Sequence, residues 1–227
     1  MTCDVIATGS RGNAVLLNGK YLFDCGVPMS AIKKALKHIR VVFLTHAHSD
    51  HILRSTIGKI HDHRPSVLFV CGRNLLVPLC AECGVSPNNV ILCEPGKPVR
   101  INWGSESIEF QCFDLIHNIE NVGWVVKVEQ GEHSGAAMYA TDTQYIPVDF
   151  PGLDLYMVEC NHTVEELERR RAEKAAAGKF IYEDTVRLSH MSAETVSEYF
   201  SRNAKPESQV VFLHQHINSK EVAEVGG

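Results

Sequence analysis

Residues 45–51 read Thr45-His46-Ala47-His48-Ser49-Asp50-His51, three histidines and an aspartate in one short stretch. Neutral imidazole and carboxylate are the ligands that suit zinc, iron or manganese. The cluster follows directly on Val41-Val42-Phe43-Leu44, an uncharged run of β-branched and aromatic residues that predicts a buried strand. Such a strand delivers whatever follows it to its C-terminal edge. His46 and His48, two apart, project from the same side of extended backbone. Asp50 and His51 lie at the turn beyond and approach from a second direction. Once ligands from elsewhere join, this is more than one tetrahedral ion needs, so the pattern points to two metals. A histidine-rich surface loop is the plain alternative; the complete string behind an apolar strand argues against it.

The elements that must hold this cluster are short. Asp4–Ala7 and Ala14–Leu17 predict strands around a Gly- and Asn-rich turn, Thr8 to Asn13. Tyr21-Leu22-Phe23 is a third, ending at Asp24-Cys25-Gly26. Met29, Ile32, Leu36 and Ile39 recur at helical spacing after Pro28. Ile52–Ile60 is expected to be helical, as is Arg73–Cys83, made irregular by Pro78 and stopped by Gly84. Ser66–Cys71, Asn89–Cys93, Ile108–Phe113, Gly123–Val128, Ala136–Ala140, Leu155–Val158 and Gln209–Leu213 predict strands. Val164–Gly178 is the clearest helix, and Ser192 can cap another that reaches Phe200. Short strands with interspersed helices predict an α/β sandwich. One domain is expected over 1–221, with 222–227 a loose tail.

The chain has 227 residues, 44% of them hydrophobic, enough for one sizeable core. It shows no apolar stretch of membrane length and no charged-then-apolar leader, so neither a span nor a secretory signal is expected. Its eight cysteines are scattered through ordinary globular composition, which fits reduced thiols and a cytoplasmic location. Cys80-x-x-Cys83 lacks a second close pair and reads as core cysteines. A net charge of −5 weighs against a long nucleic-acid substrate. Bound cations would offset part of that.

The string Thr45 to His51 resembles the second motif of the metallo-β-lactamase superfamily, and the resemblance runs along nearly the whole chain. It implies that superfamily's αββα sandwich. Phe23-Asp24-Cys25-Gly26 resembles its early strand-Asp-x-Gly element. His117 resembles the next ligand, Asp142 the carboxylate that bridges two metals, and His214 the final ligand. His216, two residues on, competes with His214. The implied division gives His46, His48 and His117 to one ion and Asp50, His51 and His214 to the other, joined by Asp142. His117 could instead be a solvated loop histidine, and Asp142 a turn former. Two divalent ions, zinc or manganese, are the implied cofactors.

Val158-Glu159-Cys160-Asn161-His162 and Leu188-Ser189-His190-Met191-Ser192 resemble segments of ribonuclease Z and the YycJ-like branch. Thr8 to Asn13 is similar to the Gly-Ser-x-Gly-Asn opening of that branch. The resemblance makes Glu159 the residue that orients His190, and His190 the general acid that protonates the departing oxygen; Asp50 would orient the nucleophile. The alternative leaves Glu159 a core cap and His190 a helix-start residue. His162 receives no role, and His38, His61, His63 and His133 read as surface residues. Phosphodiester hydrolysis is implied. The short span between Asp142 and His190 leaves no room for the tRNA-gripping arm of ribonuclease Z. With the acidic balance, this favours a small nucleotide, first a cyclic mononucleotide, as in compact phage phosphodiesterases (anti-Pycsar type) that blunt host signalling. A YycJ- or ribonuclease Z-like nuclease on DNA or RNA is the alternative, and a non-catalytic metal-binding protein a third reading. The relatives imply a homodimer.

Overall fold

The computed structural model describes residues 1–215. His216, the expected domain limit at 221 and the tail 222–227 lie outside them. The order is β1 (Cys3–Ala7), β2 (Ala14–Leu17), β3 (Tyr21–Phe23), α1 (Met29–Ile32), β4 (Val41–Phe43), α2 (Arg54–His63), β5 (Leu68–Cys71) and β6 (Val90–Leu92). Then come β7 (Val99–Trp103), β8 (Glu106–Leu115), β9 (Asn121–Glu129), β10 (Gly135–Ala140), β11 (Leu155–Glu159), α3 (Val164–Ala176), α4 (Glu183–Ser189), α5 (Ala193–Asn203) and β12 (Gln209–Leu213).

Two six-stranded sheets result, in the orders β1-β2-β3-β4-β5-β6 and β12-β11-β10-β9-β8-β7. Strands β3 to β6 run parallel, as do β10 to β12; the remaining neighbours are antiparallel. A strand covered on both faces must be apolar throughout, which is why β3 and β4 read as continuous runs. Tyr21, Phe23, Val41 and Phe43 enter the core between the sheets, where Phe43 meets Phe23 at 5.0 Å, Phe110 at 5.1 Å and Trp124 at 5.3 Å. Leu22, Val42 and Leu44 face the other way, against Ile32 from α1 and Ile57 and Ile60 from α2. Met138, Tyr156 and Val158 pack outward on Val196 and Tyr199 of α5. Helices therefore cover both outer faces of the paired sheets, the α/β αββα sandwich expected, in one domain.

Several elements differ from expectation. The helix after Pro28 keeps α geometry only over Met29–Ile32 and continues as turns toward Ile39. Arg73–Cys83 splits into a 3-10 turn, Arg73–Leu75, and a π turn, Pro78–Glu82, because Pro78 has no N–H to continue the ladder. Strand β7 and helix α4 add to the expected set, and His190 follows the end of α4 instead of starting a helix. His61 is half-buried, accepting from Ser86 N at 3.3 Å, whereas His38, His63 and His133 are exposed. All eight cysteines are free thiols, Cys83 buried and Cys80 half-buried. No helix among the described residues is long and apolar enough to cross a membrane.

Candidate metal centre

Six strands of the two sheets open toward one edge. Asp24 follows β3, His46 follows β4, His117 follows β8 and Asp142 follows β10; Glu159 is the last residue of β11, and His214 follows β12. Strand ends at one sheet edge are where α/β folds place their sites. Asp24, Asp142 and His214 have φ of 55°, 56° and 50°. Such left-handed backbone in non-glycine residues costs of order 1–3 kcal/mol each, and persists where surrounding contacts enforce it.

One group of donors comprises His46, His48, His117 and Asp142. His46 Nε2 lies 3.0 Å from His48 Nδ1, which lies 3.3 Å from His117 Nε2. Asp142 Oδ2 is 3.5 Å from His46 Nε2. Burial pushes the His46 pKa down to about 2 and that of His117 to about 4, so both rings are neutral at neutral pH, as a metal ligand must be. Thr45 Oγ1, 2.9 Å from His46 Nδ1, orients the first ring from behind.

A second group comprises Asp50, His51 and Asp142. His51 Nε2 lies 2.8 Å from Asp142 Oδ2 and 3.6 Å from Asp50 Oδ2, while its Nδ1 is 2.7 Å from Asp24 Oδ2. Asn13 Nδ2 lies 2.9 Å from the same Nε2. Asp24, fully buried, accepts from Thr45 N, Thr45 Oγ1 and Tyr139 Oη, each at 3.0 Å. Burial opposes charge on His51, but Asp24 and Asp142 outweigh it and raise its pKa well above that of free imidazole. The site therefore favours positive charge between these carboxylates. His214 Nδ1 is 2.5 Å from Asp142 Oδ1, in a third group with Glu159 and His190.

Asp24, Asp142 and Glu159 are 0, 3 and 0% exposed. Among the described residues their hydrogen-bond and ion-pair partners are histidines, hydroxyls and backbone amides, with no lysine or arginine. Buried carboxylates demand compensating charge. Neutral imidazoles converging on them form a donor set that fits divalent cations.

Glu159 closes the other side. Its Oε1 accepts from Thr143 N at 2.6 Å and its Oε2 lies 2.9 Å from His190 Nδ1. Burial raises the Glu159 pKa, against the pull of His190. Burial alone would lower that of His190, but its bond to Glu159 and the nearby Asp142 raise it. The edge opens into a cavity of about 350 Å³ lined by His48, Asp50, His117, Asp142, His190 and His214 at its base and Tyr182 and Val186 of the α4 segment above.

Every expected site residue thus reaches this edge. Asp50 and His51 share a compact group that does not include His214. His162 is buried elsewhere, its backbone bridged to Ser192. Residues without an expected role also matter. Asp24 and Tyr139 hold His51 from behind, and Asn13 reaches it from the first turn. Asp24 carried the one usable signal, a charge directly after an apolar strand.

A family model described as Beta-lactamase superfamily domain matches residues 20–215. A search of curated protein sequences returns no match. Similar solved structures include the metallo-beta-lactamase fold protein YhfI from Bacillus subtilis, with TM-score 0.64, 17% identity, and 98% of this chain and 92% of that one covered. Human tRNase Z, short form (ELAC1), gives 0.59 and 16%, covering 95% and 93%. A diphosphatase from the PhnP family gives 0.56 and 17%, covering 94% and 85%. At these identities the likeness concerns the fold.

Proposed function

The chain belongs to the beta-lactamase superfamily, and from that premise we propose a two-metal phosphodiesterase that opens small nucleotide phosphodiesters, first of all cyclic mononucleotides. The observation that carries this reading is the Glu159–His190 pair, 2.9 Å apart on the wall facing the ligand edge. A thioester hydrolase has less need of an acid there, because a thiolate departs more easily than an alkoxide.

His46, His48 and His117 would hold one divalent ion, and Asp50, His51 and His214 the other, with Asp142 between them; zinc is the first candidate and manganese the second. The ions would supply an activated water at neutral pH and positive charge against the phosphate oxygens. Asp50, which lines the cavity floor, orients the attacking water. Glu159 fixes the orientation of His190 by accepting a hydrogen bond from its Nδ1–H, and His190 passes a proton from Nε2 to the leaving oxygen. A cavity of about 350 Å³ suits a mononucleotide better than a folded RNA. A homodimer belongs to this reading, with Phe180, 83% exposed, and Leu188, 65% exposed, as apolar surface for it to cover.

The test compares cyclic mononucleotides with tRNA precursors and short DNA as substrates for the metal-loaded protein. Turnover of cyclic mononucleotides is the expected result. Cleavage of the polymers alone would replace this reading with a nuclease.

A further inference from the structure

His117 separates two hollows. One is the cavity of the metal centre; the other, of about 560 Å³, runs between the turn after β5 and the loop entering β9. Asn121 lines this second groove and is 3% exposed. Its Nδ2 donates to Thr141 O at 2.9 Å and to Asp142 O at 2.8 Å. Both amide protons are used, which fixes the amide's orientation and leaves Oδ1 a pure acceptor. That Oδ1 is buried and has no partner. His117 Nδ1 is buried without a partner as well. With Nε2 turned to the ligand cluster, Nδ1 is the nitrogen left to carry the proton. One unmatched acceptor and one unmatched donor thus lie buried in the residues that form this wall.

The mouth of the groove adds a cation and an amide. Among the described residues the Arg73 side chain makes no hydrogen bond or close ion pair, and its charge acts on Glu94, which also lines the groove. Asn74 reaches only Glu120 O, at 3.4 Å. Ile119, 36% exposed, supplies an apolar face. Unmatched donors and acceptors beside an apolar face and a guanidinium recognise the edge and plane of a nucleobase. We propose that this groove is the nucleobase subsite, holding the base while the phosphodiester lies at the metal centre on the other side of His117. The inference rests on the nucleotide reading given above, and it places specificity on Arg73, Asn74 and Asn121.

The test uses Arg73→Ala and Asn74→Ala in the metal-loaded protein. The measured quantity is the ratio of kcat/KM on a cyclic mononucleotide to that on bis(4-nitrophenyl) phosphate, an ester without a base. The expected result is a fall in that ratio by about tenfold, carried by KM, with the Kd of the nucleoside monophosphate product rising in parallel by calorimetry. An unchanged ratio and Kd in both variants overturns the proposal. So does a ratio that falls only in Tyr182→Ala, which puts the base under α4. If the protein cleaves the aryl ester but no nucleotide, the nucleotide reading fails. Calorimetry then decides for the groove by itself: monophosphate binding weakened by Arg73→Ala supports it, and no binding overturns it.

Discussion

The two walls of the metal-centre cavity are built on different principles. On the ligand side, His46 and His51 are fully buried, and Asp24 joins Thr45, His51 and Tyr139 behind them. On the opposite side, α3 buries only Leu167, and α4 buries only Glu183 and Ser189. These two helices hold each other through exposed ion pairs such as Arg171–Asp184 and Arg187–Glu168, worth little individually. His190, just past α4, is fixed by one buried carboxylate, Glu159. Under the proposed function, holding metal falls mainly to one wall and delivering a proton to the other, with Asp142 facing both.

The harshest way to break this contrast is Asp142→Ala. Asp142 faces His46, His51, His190 and His214 at once. Metal content by elemental analysis is expected to fall from about two ions per chain to one or fewer, and turnover to be lost. A variant that keeps both ions would remove Asp142 from the bridging position. His190→Ala comes next. It is expected to keep its metal and to lose about 10²- to 10⁴-fold in kcat on an ester with a poor leaving group. Much less should be lost on an activated aryl ester, which needs no acid. Equal losses on the two esters would mean that His190 is not the proton donor. Asp24→Asn sharpens the ligand side: about 10- to 100-fold weaker metal affinity in a chelator titration, with kcat recovered at saturating metal. If Asp24→Asn instead behaves like His190→Ala, the division between the walls fails.

The same contrast explains what was legible in the sequence. His46 to His51 are consecutive behind an apolar run, so spacing alone exposes them. Asp142 follows β10, which ends in a continuous buried apolar run, whereas β8 interleaves Glu109, Gln111 and Asp114 and β12 is buried only at its end, so His117 and His214 are marked by little more than their place after a strand. Asp24 obeys the same rule after Tyr21-Leu22-Phe23, yet a lone aspartate has no spacing that marks it as a support for His51. Asn13 and Asn121 act through amide bonds to residues brought close only by the fold. Helix α4 has no apolar stripe; Glu183 and Asp184 in its first turn and its ion pairs to α3 make it helical. Strand β7 alternates as Val99-Arg100-Ile101-Asn102-Trp103, but the flanking Pro98 and Gly104 obscure so short a run.

The smallest effect is expected at the end of the molecule opposite the ligands. Glu106, at the start of β8, binds Lys20 at 2.6 Å and Arg40 at 2.7 Å, both ahead of strands in the other sheet. This bridge joins the two sheets where no site residue lies, so it should contribute to stability and to nothing else. The hydrogen bond from Lys20 is the main cause that holds the Glu106 carboxyl below its usual range. A carboxylate whose pKa is depressed in the folded state stabilises the protein above its unfolded pKa, and that contribution is lost as pH falls through the folded value. Glu106→Gln should therefore lower stability at neutral pH by about 0.5 kcal/mol, the scale of a solvent-screened pair, with metal content and kcat unchanged. In denaturant melts the gap between variant and wild type should close once the medium is acidic enough to protonate Glu106 in the folded protein. A gap that stays constant across that range would assign the effect to packing of the Glu106 stem, and altered metal content would show that the two ends of the sandwich are coupled.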